Sequence, residues 1–252
     1  MQTKNKITLK NKSIGFADYI NQSENSQMDA IEHLDNIGSN WQIDRELRLR
    51  VGNDSKFRDY IGDLINFTVD PQDLPKLIKI KNIITGLDMF SESLDPDFFH
   101  MVVHPLTSGK QNNKIQEKIL ANQKKCIIVF DKINDYINKQ VTTNRINMLA
   151  THVYPINNMA LVCGLIPRDE RDFVHLLTIY NLCEEIVNAY LAPQFYVILS
   201  YFQPRMFQAI EIKELYKMVK NLKVDFEITF DINKLSYQYF TNLNSYKTVI
   251  GL

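Results

Sequence analysis

Lys118, Lys125, Lys132 and Lys139 stand seven residues apart. Seven residues is close to two helical turns, so on a helix all four point the same way. Successive members lie about 10.5 Å apart along the axis. At that pitch lysine side chains reach phosphates along an extended single strand, in contacts that ignore base sequence and weaken with salt. Lys114 and Lys124 thicken the row. It runs into a polar Asn-Arg segment, Thr142 to Ala150, where Arg145 offers a planar fork for phosphate. Arg168, Arg171 and Arg205 extend this candidate nucleic-acid contact set towards the C-terminus. The plainer reading is a solvated helix face, with Asp131 and Asp135 neutralising part of the row and Asp169 and Glu170 serving as helix-start acids.

Other chemistry is thin. His100 and His104 have the i, i+4 spacing of two metal ligands on a helix, but Pro105 follows and no Glu lies between them. With Asp95 and Asp97 they make up a rival reading as a metal-dependent hydrolase. Eight glycines, about 3% against a usual ~7%, leave little material for a phosphate-cradling loop. No Ser-His-Asp or Cys-His arrangement stands out. The expectation is a protein with no catalytic residues, no metal and no cofactor.

Charge balances at 29 basic against 29 acidic residues, so attraction to a polyanion has to come from segregation. From Lys110 to Arg145 the net charge is +5 and from Arg205 to Lys223 it is +3, whereas Asp88 to Asp97 carries four acids and no base. Three scattered cysteines fit a reducing compartment and no disulfide framework. No apolar run is long enough to predict a membrane span.

The elements that must position these residues read as mainly helical. Apolar periodicity predicts helices over Lys114–Lys139, Asp169–Tyr190 and Pro204–Lys223, with weaker helical patterns at 29–49, 57–67 and 77–90. Val224 to Ile232 instead alternates apolar and polar, the mark of a half-buried strand. Its partner is expected in the Ile7–Phe16 segment or in another copy of the chain. Residues 1–28 read as an arm.

Asn144-Arg145 with Leu149-Ala150, Tyr154-Pro155-Ile156-Asn157 and Gly164-Leu165-Ile166-Pro167 together resemble nucleocapsid proteins of segmented negative-strand RNA viruses, emaraviruses above all. The resemblance covers about residues 125–205, and Ile146 to Met148 interrupt the family's tighter Asn-Arg-Leu-Ala run. It implies a mainly α protein of two helical lobes flanking a basic RNA-binding groove, with extended terminal arms and little β. On that plan 1–28 is the N-terminal arm, 29–140 and 141–223 are the lobes, and 224–252 is the C-terminal strand or arm. The implied partners are single-stranded viral RNA, further copies of the chain through the arms, and a viral RNA polymerase. The implied locations are the virion and the host cytoplasm. The alternative is a helical protein-interaction factor that does not bind RNA.

Overall fold

The computed structural model describes residues 6–9, 12–37, 41–140, 143–187 and 193–252. Residues 1–5, Thr142 and the 188–190 end of the helix expected over Asp169–Tyr190 lie outside these. Strands β1 (Lys6–Leu9) and β2 (Lys12–Gly15) form a small antiparallel pair ahead of α1 (Phe16–Ile37) and the short α2 (Arg45–Arg50). Next come β3 (Ile61–Thr68), α3 (Leu74–Ile84), β4 (His100–Gly109), α4 (Asn113–Gln140), β5 (Arg145–Ile156), β6 (Ala160–Pro167), α5 (Glu170–Val187) and β7 (Phe195–Tyr201). The chain closes with α6 (Ala209–Asn221), β8 (Phe226–Asp231), β9 (Leu235–Asn242) and β10 (Ser245–Gly251).

The eight later strands form one antiparallel sheet in the order β10-β9-β3-β4-β7-β6-β5-β8. This overturns the expectation of a mainly helical, two-lobed protein with little β. The reason lies in burial. β3 is buried at its first seven positions and β6 at all eight. A strand covered on both faces loses the apolar–polar alternation that announces it. In β3, Ile61, Leu64 and Ile65 then fall by chance at helical spacing with Phe57 and Tyr60. The strand that does alternate, β8, pairs with β5 of the same chain, from Arg145↔Asp231 to Ala150↔Phe226, while the N-terminal strands pair with each other. The expected N-terminal arm is in part the first half of α1, which buries Tyr19, Gln27, Ile31 and Leu34.

Two local features bear on the sheet's shape. Gly62 sits where a β-carbon would lie 2.4 Å from the Phe240 ring and 2.6 Å from the Thr107 carbonyl oxygen, so only glycine lets β3 pack this closely between β9 and β4. The Tyr154-Pro155-Ile156-Asn157 and Gly164-to-Pro167 motifs are the two arms of the β5–β6 hairpin. Its turn holds Asn157 and Asn158 in the left-handed region, each at φ 51°, a conformation asparagine tolerates better than most residues.

The ladder is thinnest in the middle. β4 and β7 share a single register pair, Met101↔Val197, where other neighbours share six or more. α4 and α5 pack against β4 and against each other. Trp41 is fully buried edge-on to Phe202 and Phe207, at ring separations of 5.1 and 5.2 Å. The three cysteines are buried free thiols on three elements: Cys126 on α4, Cys163 on β6 and Cys183 on α5. Among the described residues no helix is long and apolar enough to cross a membrane.

Candidate functional site

Where β4 and β7 barely pair, a cavity of about 320 Å³ opens, with Arg50, Ser108, His100, Tyr196, Tyr201 and Tyr246 in its wall. Its one arginine comes from α2. Asp44 caps that helix, its carboxylate accepting from the Glu46 amide at 2.6 Å, and Arg50 is the last helical residue. The chain then turns back, Val51 bridging to Phe57, and this sets Tyr60 beneath the guanidinium, whose carbon is 4.7 Å from the ring centre.

Arg50 is poorly supplied with partners. It donates to the Tyr201 and Tyr60 hydroxyls over long distances of 3.5 and 3.4 Å, and its buried Nε–H has no acceptor. No carboxylate lies within ion-pair range of it among the described residues. A guanidinium has five N–H donors, so most of its capacity is unspent. Burial works against its charge, but the Tyr201 and Tyr60 oxygens more than offset this and hold its pKa above the ordinary arginine range.

Around this cation the wall is neutral phenol and imidazole. Burial pushes Tyr196 up to about 12 and also raises Tyr246, so both remain O–H donors at neutral pH. His100 pairs through Nδ1 with the Phe98 carbonyl oxygen at 2.6 Å and sets its ring edge-on to Tyr246. Burial lowers its pKa to about 4, and the Phe98 contact only partly opposes that. At neutral pH the imidazole is therefore uncharged, with the Nδ1 proton on the carbonyl and the Nε2 lone pair free to accept a proton. Asp63 also lines the cavity, but its carboxylate is saturated by the Thr107 amide at 2.8 Å, the Tyr237 hydroxyl at 3.0 Å and the Asn122 amide at 3.1 Å.

The ten basic residues singled out from sequence lie elsewhere; none lines this cavity. Lys114, Lys118, Lys124, Lys125, Lys132 and Lys139 are exposed along α4. Lys125 donates to the Ile186 carbonyl at 2.6 Å, Lys132 pairs with Glu185, and Lys139 pairs with Asp135 at 2.9 Å. Arg145 is an exposed residue at the start of β5. Arg168 pairs with Glu227 at 3.1 Å, Arg171 with Asp172 at 3.2 Å and Arg205 with Glu211 at 2.7 Å. Of the rival metal set, Asp95 caps a turn of 3-10 helix, His100 is in the cavity wall, and His104 is fully buried with its ring stacked on Tyr180. Among the described residues no group of three or more His, Cys, Asp or Glu is placed to hold a metal ion. Sequence reasoning missed Arg50, Tyr60 and Ser108. The nearest signal was the arginine triplet Arg45, Arg48 and Arg50 beside a tyrosine ten residues on, too common a pattern to single out.

The fold and cleft describe an α+β protein whose antiparallel sheet opens at its centre around a cation. No protein-family model and no curated protein matches the sequence. Among solved structures, the chain is similar in fold to a conserved protein of unknown function, ATU0111 from Agrobacterium tumefaciens, at 14% identity and TM-score 0.58 over 87% of this chain and 98% of that one. Weaker likenesses are to a phosphoesterase (7% identity, TM-score 0.44) and to Escherichia coli LigT complexed with ATP (7% identity, TM-score 0.40), each over 77% of this chain and 98% of the other. The expectation of a non-enzymatic protein is corrected at this point: the cleft gathers an arginine short of acceptors and a neutral histidine among its lining residues.

Proposed function

We propose that the cleft binds and turns over a small phosphoester, with Arg50 seating the anionic group and His100 handling a proton. The observation that carries this is the state of Arg50: half-buried, short of acceptors and, among the described residues, unpaired with any carboxylate. A buried guanidinium with open donors is unfavourable as a purely structural element. It becomes favourable when a phosphate or carboxylate completes its hydrogen bonds, and the planar fork fits phosphate in bidentate fashion. The tyrosine hydroxyls add neutral donors around the same anion, and their rings supply an apolar surface for the rest of the ligand. The substrate class, a phosphoester, is the one named by the phosphoesterase neighbour; the argument itself is the cavity's.

Calorimetric titration with AMP, alongside turnover of p-nitrophenyl and bis(p-nitrophenyl) phosphate, tests this reading. Saturable AMP binding that Arg50→Met removes, with turnover that His100→Ala removes, is the expected result. A wild-type protein indifferent to all three compounds would overturn it.

A second reading, sequence-independent coating of viral single-stranded RNA, has one supporting observation. Lys114, Lys118 and Lys124 are exposed on α4 and have no ion-pair partner among the described residues. Copurification of RNA at low salt, lost when Lys118, Lys125, Lys132 and Lys139 are changed to Glu, is the test.

A further inference from the structure

The Tyr60 hydroxyl joins two further groups, and its single proton fixes the direction of both bonds. It lies 2.7 Å from a Glu46 carboxylate oxygen and 2.9 Å from Ser108 Oγ. The carboxylate is the stronger acceptor, so Tyr60 donates to Glu46. Ser108 must then donate to the Tyr60 oxygen. The serine oxygen keeps its lone pairs, on an exposed residue in the cavity wall. Arg50 lies over the Tyr60 ring with Nη2 on the same hydroxyl, so an anion seated on Arg50 is brought close to Ser108, and a developing negative charge on the Tyr60 oxygen is stabilised.

We propose that Ser108 is a nucleophile of this cleft towards phosphoesters, with Tyr60 and Glu46 as the relay that takes up its proton. This rests on the phosphoester reading of the cleft. In the step, Ser108 Oγ bonds to phosphorus as the bond from phosphorus to the leaving oxygen breaks. The serine proton passes to Tyr60 while the Tyr60 proton passes to Glu46. The leaving oxygen departs with the electron pair and is protonated by water, and the exposed Glu46 returns its proton to water. A second water then displaces the serine from phosphorus: its OH stays on the phosphate, its remaining proton passes to His100 Nε2, and His100 returns a proton through solvent to the serine oxygen. Ser108 is the residue that touches substrate; Tyr60 and Glu46 are positioning residues acting through it.

An alkyl fluorophosphonate tests the step directly, because Ser108 Oγ would bond to its phosphorus with loss of fluoride, leaving an adduct that peptide mass spectrometry locates. The expected result is an adduct on Ser108, absent in Ser108→Ala and formed about 100-fold more slowly in Tyr60→Phe, the ordinary scale of lost general-base assistance. Glu46 does not line the cavity, so Glu46→Gln should slow labelling while leaving AMP affinity unchanged. A protein that binds AMP but forms no Ser108 adduct would overturn the nucleophile and leave the phosphoester reading standing. Labelling indifferent to both relay variants would overturn the relay. Relay-dependent labelling in a protein indifferent to AMP and to both nitrophenyl phosphates would retain the nucleophile and remove the phosphoester reading.

Discussion

The α4 surface and the cleft both hold basic side chains, and they differ in what those side chains are given to do. On α4, Lys125, Lys132 and Lys139 each have an acceptor, two of these on α5 and one on α4 itself. In the cleft a single arginine is surrounded by phenols and short of acceptors. A row of six lysines dominates the sequence, and one arginine at the end of a six-residue helix passes unnoticed. The lesson is that a cation's availability depends on its neighbours in three dimensions, which charge counting along a chain does not see.

The largest effect expected from this contrast is on ligand affinity. Arg50→Met should weaken AMP binding at least 100-fold, as truncating one side of a partly desolvated charge pair commonly costs about 2–5 kcal/mol. Its melting temperature should hardly move, because the arginine's own hydrogen bonds are long. Titration and a melt on the same sample check both halves, and a large loss of stability with unchanged affinity would reverse the contrast.

Next in size is a pH effect at Asp63, which joins the two regions by lining the cavity and accepting from Asn122 of α4. Burial raises its folded pKa to about 6, despite the hydrogen bonds from Asn122, Thr107 and Tyr237 that oppose this. The unfolded value is about 3.9. The folded state therefore binds this proton more tightly, and the group favours folding most below about pH 4. That contribution should fall away as pH rises towards 6, by about 2–3 kcal/mol. Denaturation at pH 4, 5, 6 and 7 should show the slope in the wild type and its loss in Asp63→Asn; a parallel slope in the variant would assign it to other groups.

The smallest effect belongs to the lysine helix. Lys132→Ala removes an ion pair with Glu185 between two half-exposed side chains, and such pairs contribute about 0–1 kcal/mol. A shift in denaturation midpoint near the limit of detection is expected. A cost well beyond that would make α4–α5 pairing a main support of the fold.

How much of this was legible in sequence follows the same physics. α4 and α5 were readable because one face of each is apolar and the other polar, and β8 because it alternates. β3 and β6 were not, since full burial removes the pattern that period analysis needs. Asn157 ends the Tyr154-to-Asn157 motif of the nucleocapsid resemblance, and together with Asn158 before a buried run it also suits a hairpin turn. Of the cleft, His100 was noticed for the wrong reason, its spacing to His104, while Arg50, Tyr60 and Ser108 meet only when β3, β4 and α2 close on one another. No local pattern encodes a contact over such separations.

The buried cysteines give the chain a built-in clock. Burial pushes Cys126 and Cys163 up to about 12 and Cys183 higher than an ordinary thiol, and only the thiolate reacts readily with alkylating reagents. In the native state all three should be silent, so each alkylation event records an opening of the element that carries it. Because α4, β6 and α5 each hold one, three labelling rates from a single digest would tell whether this sheet and its helices breathe separately or let go together.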